Sequence, residues 1–260
     1  MHVIEITSRD NGFVKELRRL SRESGAYRRL GHVWLEGDHL CRAALARGLR
    51  PATAVFSASF WPQAPAEWAQ AASKTVVLPD ALFADISGLE SPARVGYLLP
   101  WTGEGALLRP GVPTLVLDRV QDAGNVGSML RSASAFGFEQ VLALKGTAAL
   151  WSQKVLRAGM GAHFGLHLVE SADPHDIAQL ELPVLATSSH QGAFIHQETL
   201  PWPCAWAMGH EGQGVGPEVQ ALASQWVRIA QPGGEESLNV AAAAAICLHA
   251  SAVQATRPLG

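Results

Sequence analysis

Between residues 114 and 249 short apolar segments alternate with helical stretches, and this alternation constrains the fold more than any other feature of the chain. "TLVLDRV", "QVLAL", "GLHLVE", "PVLATSS", "CAWAMG" and "WVRIA" read as strands; "NVGSMLRSASAFG", "WSQKVLRAGMG" and an alanine-rich run within "ESLNVAAAAAICLHA" read as helices. Strands this apolar along their whole length are buried on both faces, so the fold class is α/β, with a parallel sheet covered by helices on both sides. Upstream lies a smaller α/β unit. "FVKELRRLSRESGAYRRL" has helical periodicity, "GHVWLEG" reads as a strand, and "DHLCRAALARG" as a helix with Asp38 as cap and Gly48 as stop. Strands "ATAVFSASF", "KTVVLP" and "RVGYLLP" follow, separated by helices "PAEWAQAAS" and "DALFADISGL". The aperiodic, Gly- and Pro-containing "WTGEGALLRPGVP" marks the boundary, giving a domain over 1–100, a linker over 101–112 and a second domain over 113–260.

Three loops of the second domain concentrate glycine and small polar groups where the chain leaves a strand, the place where open α/β sheets bind ligands. In "LDRVQDAGNVGSMLRSASAFG", Asn125, Gly127 and Arg131 stand two and four residues apart. On a helix starting near Asn125 the arginine lies about 120° off the face of the asparagine, and a helix N-terminus with an arginine nearby suits an anion. An Asn125 N-cap with a surface arginine is the alternative. "AWAMGHEGQGVGPEV" sets Gly209, Gly212, Gly214 and Gly216 around Glu211, with Pro217 at a helix N1 position. So much glycine lets backbone approach a ligand, yet neither a dinucleotide fingerprint nor a P-loop fits, and a plain turn gives no reason for a carboxylate there. In "IAQPGGEESLNVAAAAAI", Ser237 and Asn239 occupy the first turn of a closely packed helix. Capping accounts for Ser237 and Glu236, while Asn239 is a poor helix former and unneeded as a second cap, so the stretch reads as a binding wall.

Composition narrows the function classes. With 48% hydrophobic and 17% charged residues over 260 positions, the chain can bury a substantial core and falls outside the disordered range. Cys41, Cys204 and Cys247 are odd in number and form no C-x-x-C, which argues against a disulfide framework or thiolate metal site and fits a reducing cytoplasm. "MHVIEITSRDNG" carries charges where a signal peptide needs an apolar run, and no stretch reaches the roughly 18 apolar residues of a membrane span. His163 and His167 have i, i+4 spacing, but "HFGLHLVE" reads as a strand, so no metal is expected. The net charge of −3 hides an asymmetry: the first fifty residues carry ten Lys/Arg against six Asp/Glu, and the other 210 carry ten against seventeen. An anionic partner for the N-terminal part follows, unless helix pairing with Glu16 and Glu23 absorbs those charges.

Taken together, N-x-G-x-x-x-R at 125–131, G-x-E-x-x-G at 209–214 and S-L-N at 237–239 before a small-residue helix resemble the motifs of the SpoU, or TrmH-like, RNA 2′-O-ribose methyltransferases of the SPOUT superfamily. "KVLRAGMGAHF" at 154–164 stands between the first two as it does in the family. The N-terminal part resembles the L30-like RNA-binding domain of many members, through Asn11, Lys15, Arg28, Arg29 and Gly37. The resemblance implies a trefoil knot in the catalytic domain, a homodimer through those domains, S-adenosylmethionine as cofactor, and structured RNA as substrate, ribosomal rather than transfer RNA. It also implies a catalytic set of Asn125, Arg131, Glu211, Ser237 and Asn239. Thr187, Met208, Gly209, Glu211, Gly214, Ile229, Leu238 and Asn239 would bind the cofactor, and Lys15, Arg18, Arg19, Arg22, Arg28 and Arg29 would face RNA. Arg131, sometimes proposed as a general base, does not readily lose its proton; the role assigned to it is phosphate clamp and oxyanion stabiliser, within its own site or that of the partner subunit. Two departures from the family pattern, Ala241 after S-L-N-V and Ala-Gly-Met-Gly at 158–161, remove no catalytic group.

Two other classes compete. A catalytically silent RNA-binding or ribosome-assembly factor on the same fold would have no need to keep Asn125, Arg131, Glu211, Ser237 and Asn239. A Rossmann-type methyltransferase needs a glycine-rich loop after its first strand and an acid at the end of the next, and "LDRVQDAGNVG" followed by "VLALKG" fits poorly.

Overall fold

The computed structural model describes residues 3–89, 91–103, 105–188, 190–233 and 237–256. In the first unit the elements are β1 (Val3–Glu5), α1 (Gly12–Arg22), α2 (Ala26–Leu30), β2 (His32–Glu36), α3 (Asp38–Ala46), β3 (Thr53–Ser57), α4 (Ala66–Gln70), β4 (Lys74–Leu78), α5 (Asp80–Ile86) and β5 (Val95–Pro100). The sheet has the order β1-β4-β3-β5-β2; β1, β4 and β3 run parallel, and β5 pairs antiparallel with both β3 and β2. Trp34 on β2 explains Gly96 on β5, diagonal to it across the ladder, because a Cβ on Gly96 would lie 2.1 Å from the indole. The helical pattern over residues 13–30 is two helices: Glu23 turns extended (φ −99, ψ 115), and Ser24 and Gly25 separate them. Asp38 is the first helical residue and not the cap, since Gly37 takes the cap position at φ 95, open to glycine alone without strain.

In chain order there follow β6 (Thr114–Leu117), α6 (Ala123–Ala135), β7 (Gln140–Leu144), α7 (Gln153–Gly159), β8 (His167–Ala172), β9 (Val184–Thr187), β10 (Ala193–Phe194), β11 (Ala205–Met208), α8 (Pro217–Leu222), β12 (Gln225–Arg228) and α9 (Val240–Ala255). By contact, the chain divides into Met1–Glu104 with Trp151–Phe164, and Gly105–Leu150 with Gly165–Gly260. Helix α7 thus groups with the first unit, where the Gln153 side chain donates to the Trp34 carbonyl at 2.6 Å. In "HFGLHLVE" the strand begins only at His167, because Met160 (φ 50) and Gly161 (φ 88) turn the chain into a 3-10 turn over Ala162–Gly165.

The second sheet is parallel throughout, in the order β10-β12-β9-β11-β6-β7-β8. The chain lays β7 and β8 on one side of β6, then crosses to lay β9, β11 and β12 on the other. That reversal of direction at β6 opens a crevice at the carboxyl ends of the strands, and the three polar loops leave the sheet there. Short β10, against β12, has no counterpart in the sequence pattern. Beneath the loops β11 is buried along its length, and its Trp206 donates to Ser251 Oγ on α9 at 2.9 Å. Helices α6 and α9 pack along each other, and the small residues Gly127, Ala133 and Ala244 are buried in them.

Candidate active site

Glu211 knots the first two loops together. Its carboxylate accepts from the backbone N–H of Gln121 (3.2 Å) and of Asp122 (3.0 Å), and from Asn125 Nδ2 (3.2 Å). Burial raises its carboxyl pKa, but these hydrogen bonds and one from its own backbone N–H outweigh burial and hold it below the usual range. That is the reason for a carboxylate among glycines. Asp118 at the end of β6 makes a second tie: buried, it accepts from Gly216 N at 2.6 Å and from Arg119 Nε at 2.9 Å.

Asn125 is not the cap of α6. Asp122 takes that place, accepting from Asn125 N at 2.8 Å, so the Asn125 side chain is free to bridge the loops. Its Oδ1 accepts from Asn239 Nδ2 at 2.9 Å, completing a chain from Asn239 through Asn125 to Glu211. Asn239, expected to be unneeded for capping, is the N-cap of α9: its Oδ1 accepts from Ala241 N at 2.9 Å and Ala242 N at 3.3 Å. Because an asparagine carries acceptor and donor on one amide, a single residue both caps the alanine helix and reaches across to the first loop. Ser237 therefore lies before the helix and not in its first turn; Glu236 lies outside the described residues.

The loops after β9, β11 and β12 line a cavity of about 460 Å³; the loop after β6, tied to Glu211 and Asn239, supplies none of the lining. Of the residues singled out from the sequence, Thr187, Gly209, Glu211, Gly214, Ile229, Ser237 and Leu238 line it. Met208 is buried in β11, and Asn125 and Asn239 stand outside the lining. Arg131 is exposed on α6, away from the lining, and its guanidinium has no partner among the described residues. Gly209 must be glycine: a Cβ there would lie 2.1 Å from the carbonyl carbon of Gly214, where the loop closes on itself through His210 N to Gly214 O at 3.0 Å.

Trp226, Gln213 and Gln231 also line the cavity and were not anticipated, since none belongs to a spaced motif. Gln231 carries a buried Oε1 with no hydrogen-bond partner, an acceptor that calls for an N–H donor. S-adenosylmethionine offers such donors in its adenine amine and its ammonium, and Trp226, Ile229 and Leu238 supply apolar wall for a purine. The residues present fit that cofactor.

In the first unit most of the cations expected to face RNA have partners, and of the two glutamates named for helix pairing only Glu23 takes one of them. Arg18 and Arg22 reach Asp85 on α5 (2.5 and 3.4 Å), Lys15 reaches Asp10 (3.3 Å), and Arg29 pairs with Glu23. Arg28 lies over the Tyr27 ring at 5.0 Å. Glu16 instead meets His32 at 3.0 Å. Arg19 is exposed, without a side-chain partner among the described residues.

The model of the SpoU rRNA methylase family matches residues 113–249, more than half of the chain, and spans all three loops. The chain belongs to the SpoU rRNA methylase family. It is 30% identical to an uncharacterised tRNA/rRNA methyltransferase of Synechocystis, over 95% of this chain and 93% of that one. It is also 30% identical to the 23S rRNA (guanosine(2553)-2'-O)-methyltransferase RlmP of Bacillus subtilis, over 66% and 70% of the two chains. An AdoMet-bound rRNA methyltransferase from Sinorhizobium meliloti superposes with a TM-score of 0.81 at 26% identity, covering 96% of this chain and 97% of that one. As a SpoU methylase the chain is an RNA 2′-O-ribose methyltransferase with S-adenosylmethionine as its cofactor.

Proposed function

We propose that this SpoU methylase modifies a ribose of ribosomal RNA, with the cavity lined by the loops after β9, β11 and β12 holding S-adenosylmethionine. The observation that carries this reading is the Asn239–Asn125–Glu211 hydrogen-bonded chain, which ties the loop after β6 to the loops after β11 and β12 that line the cavity. The ribosomal target rests on relatives such as RlmP, whose name gives 23S rRNA as its substrate.

Bound there, the cofactor supplies an electrophilic sulfonium methyl. Gly209 and Gly214 bring backbone N–H and C=O groups to its edge, while Thr187, Ile229 and Leu238 form the wall for its adenosine part. Asn125 and Asn239 orient the target sugar, and Glu211 keeps Asn125 and the start of α6 in place. Ser237 is assigned to the reacting groups. Positioning of this kind supplies most of the acceleration when little covalent chemistry falls to the protein. Arg131 remains a cation, clamps the phosphate beside the target ribose and stabilises the developing oxyanion; the proton leaves through phosphate or water.

A homodimer belongs to this reading. Helix α9 is apolar on every face, yet Ile246 and Val253 are exposed in the single chain, as suits a helix whose outer side meets a second copy. Arg131, on the neighbouring α6, then serves the partner subunit's cavity. The trefoil knot of the catalytic domain is part of the same proposal, as are the first unit as RNA-binding domain, with Lys15, Arg18, Arg19, Arg22, Arg28 and Arg29 facing RNA, and the division into 1–100, 101–112 and 113–260. The enzyme is assigned to the cytoplasm: Cys41, Cys204 and Cys247 are free and buried, and burial pushes the Cys204 thiol up to about 11. No described helix is long and apolar enough to cross a membrane.

Mapping ribose methylation in ribosomal RNA from cells with and without the gene tests this reading. One 2′-O-methyl should vanish on deletion and stay absent in an Arg131→Ala strain; full methylation in that strain would refute the role of Arg131, and an unchanged map on deletion would refute the ribosomal target.

A further inference from the structure

Beside the cofactor cavity lies a second, smaller cavity of about 230 Å³ at the carboxyl ends of β6 and β7. Leu144, Pro174, Pro217 and Val219 give it apolar walls, and Arg119, Lys145 and Glu218 stand around it. Arg119 is built in with unusual care. It holds φ 58, a left-handed conformation that favours glycine. Its guanidinium donates to both carboxylate oxygens of the buried Asp118, at 2.9 and 3.3 Å, which raises its pKa further and keeps it charged. Two glycines leave room for the side chain: a Cβ on Gly216 would lie 2.7 Å from Arg119 Nη2, and one on Gly146 would lie 3.2 Å from Arg119 Cγ. Arg119 Nη1 donates to Gln213 Oε1 at 3.2 Å, and Gln213 lines the cofactor cavity. A hydrogen bond thus links a residue on the lining of each cavity. Backbone strain held in place beside a reaction site points to a task for the residue that bears it.

The carboxylates around the cavity outnumber the cations by one. Arg119 is matched by Asp118, Lys145 donates to Asp173 at 2.7 Å, and Glu218 adds a further carboxylate, so a free anion gains nothing by entering. A flat, uncharged ring with polar edges matches the apolar walls and the immobilised guanidinium, and RNA bases splayed out of a strand stack on arginine planes in this way. We propose that this cavity receives a nucleobase of the RNA substrate, that of the nucleotide next to the methylated ribose, and that Arg119 is the residue that recognises it. This rests on the reading of the chain as an rRNA methyltransferase and adds to it a base-reading subsite outside the three family motifs.

The test compares wild type, Arg119→Gly and Arg119→Lys in three measurements: S-adenosylmethionine affinity by calorimetry, binding of ribosomal RNA from the deletion strain at several salt concentrations, and methylation kinetics on that RNA. Arg119→Gly relieves the backbone strain and should fold. Its cofactor affinity should stay within about twofold of wild type, while KM for RNA rises roughly tenfold with little change in kcat. Lysine should not restore KM, because it has no planar face, and the salt dependence of RNA binding should not change. An Arg119→Gly enzyme with wild-type KM overturns the proposal. So does rescue by lysine together with a salt slope lower by about 0.7, which marks a phosphate contact, or competition against RNA by micromolar free nucleoside monophosphate, which marks a small-ligand site. A wild-type protein that methylates no ribosomal RNA but loses RNA affinity on Arg119→Gly refutes the target assignment and leaves the subsite standing; one that binds no RNA refutes both.

Discussion

At the scale of single residues, the polar entrance to the alanine helix is explained by one side chain with two tasks. Asn239 caps α9 through Oδ1 and holds Asn125 through Nδ2. Two substitutions separate those tasks. Asn239→Ala removes both, and losing the cap should cost about 1 kcal/mol, or roughly 2–4 °C in Tm. Asn239→Asp keeps the cap and loses the donor, so Tm should stay near wild type while methylation falls at least tenfold; a thermal scan beside an activity assay distinguishes the two. Glu211 makes a pH prediction. Its carboxyl lies below the usual carboxylate range in the folded protein, so its contribution is fully present above that range and is lost as pH falls through the lowered value. The Tm difference between wild type and Glu211→Gln should be largest near neutrality and shrink below about pH 4. An equal difference at all pH values would mean that the charge of Glu211 does not hold the loops.

At the scale of elements, the sequence marked the loops correctly but not the hydrogen bonds inside them. Glycine clustering in "MGHEGQGVG" is visible in one dimension; that Gly209 must tolerate the backbone of Gly214 at 2.1 Å from a would-be Cβ is a fact of closure in three. Gly209→Ala should therefore displace the loop, weakening S-adenosylmethionine binding tenfold or more in calorimetry while the far-ultraviolet circular dichroism of the folded chain is kept. Strand and helix periodicity located β2 to β9, β11, β12 and α9 from their apolar residues, while α8 was marked only by Pro217 at its first position. It missed β1 and β10, three and two residues long, and ran α1 into α2, because the apolar spacing persists across Ser24 and Gly25 while the backbone does not. Spacing rules for charge pairs see only one helix, so Arg18 and Arg22 were weighed against Glu16 and Glu23 although both meet Asp85, more than sixty residues away.

At the scale of the whole molecule, the strand alternation was enough to foresee a parallel sheet, but not its order. The crossing that puts β9, β11 and β12 on the far side of β6 brings together Asn125 and Asn239, 114 residues apart, and no local signal encodes it. The outer face of α9 extends the account to two copies. Ile246→Asp with Val253→Asp should convert a dimer into a monomer in sedimentation, with methylation lost because Arg131 no longer reaches a partner's cavity; a dimer that persists would exclude α9 as the interface.

The central claim is that the loops after β9, β11 and β12 enclose one S-adenosylmethionine site. Calorimetric titration of the purified chain with that cofactor tests it most directly. Wild type should bind with micromolar Kd, about −8 kcal/mol, Arg131→Ala should bind equally well, and Gly209→Ala should bind at least tenfold more weakly. No binding by the folded wild type, or undiminished binding by Gly209→Ala, would contradict the claim.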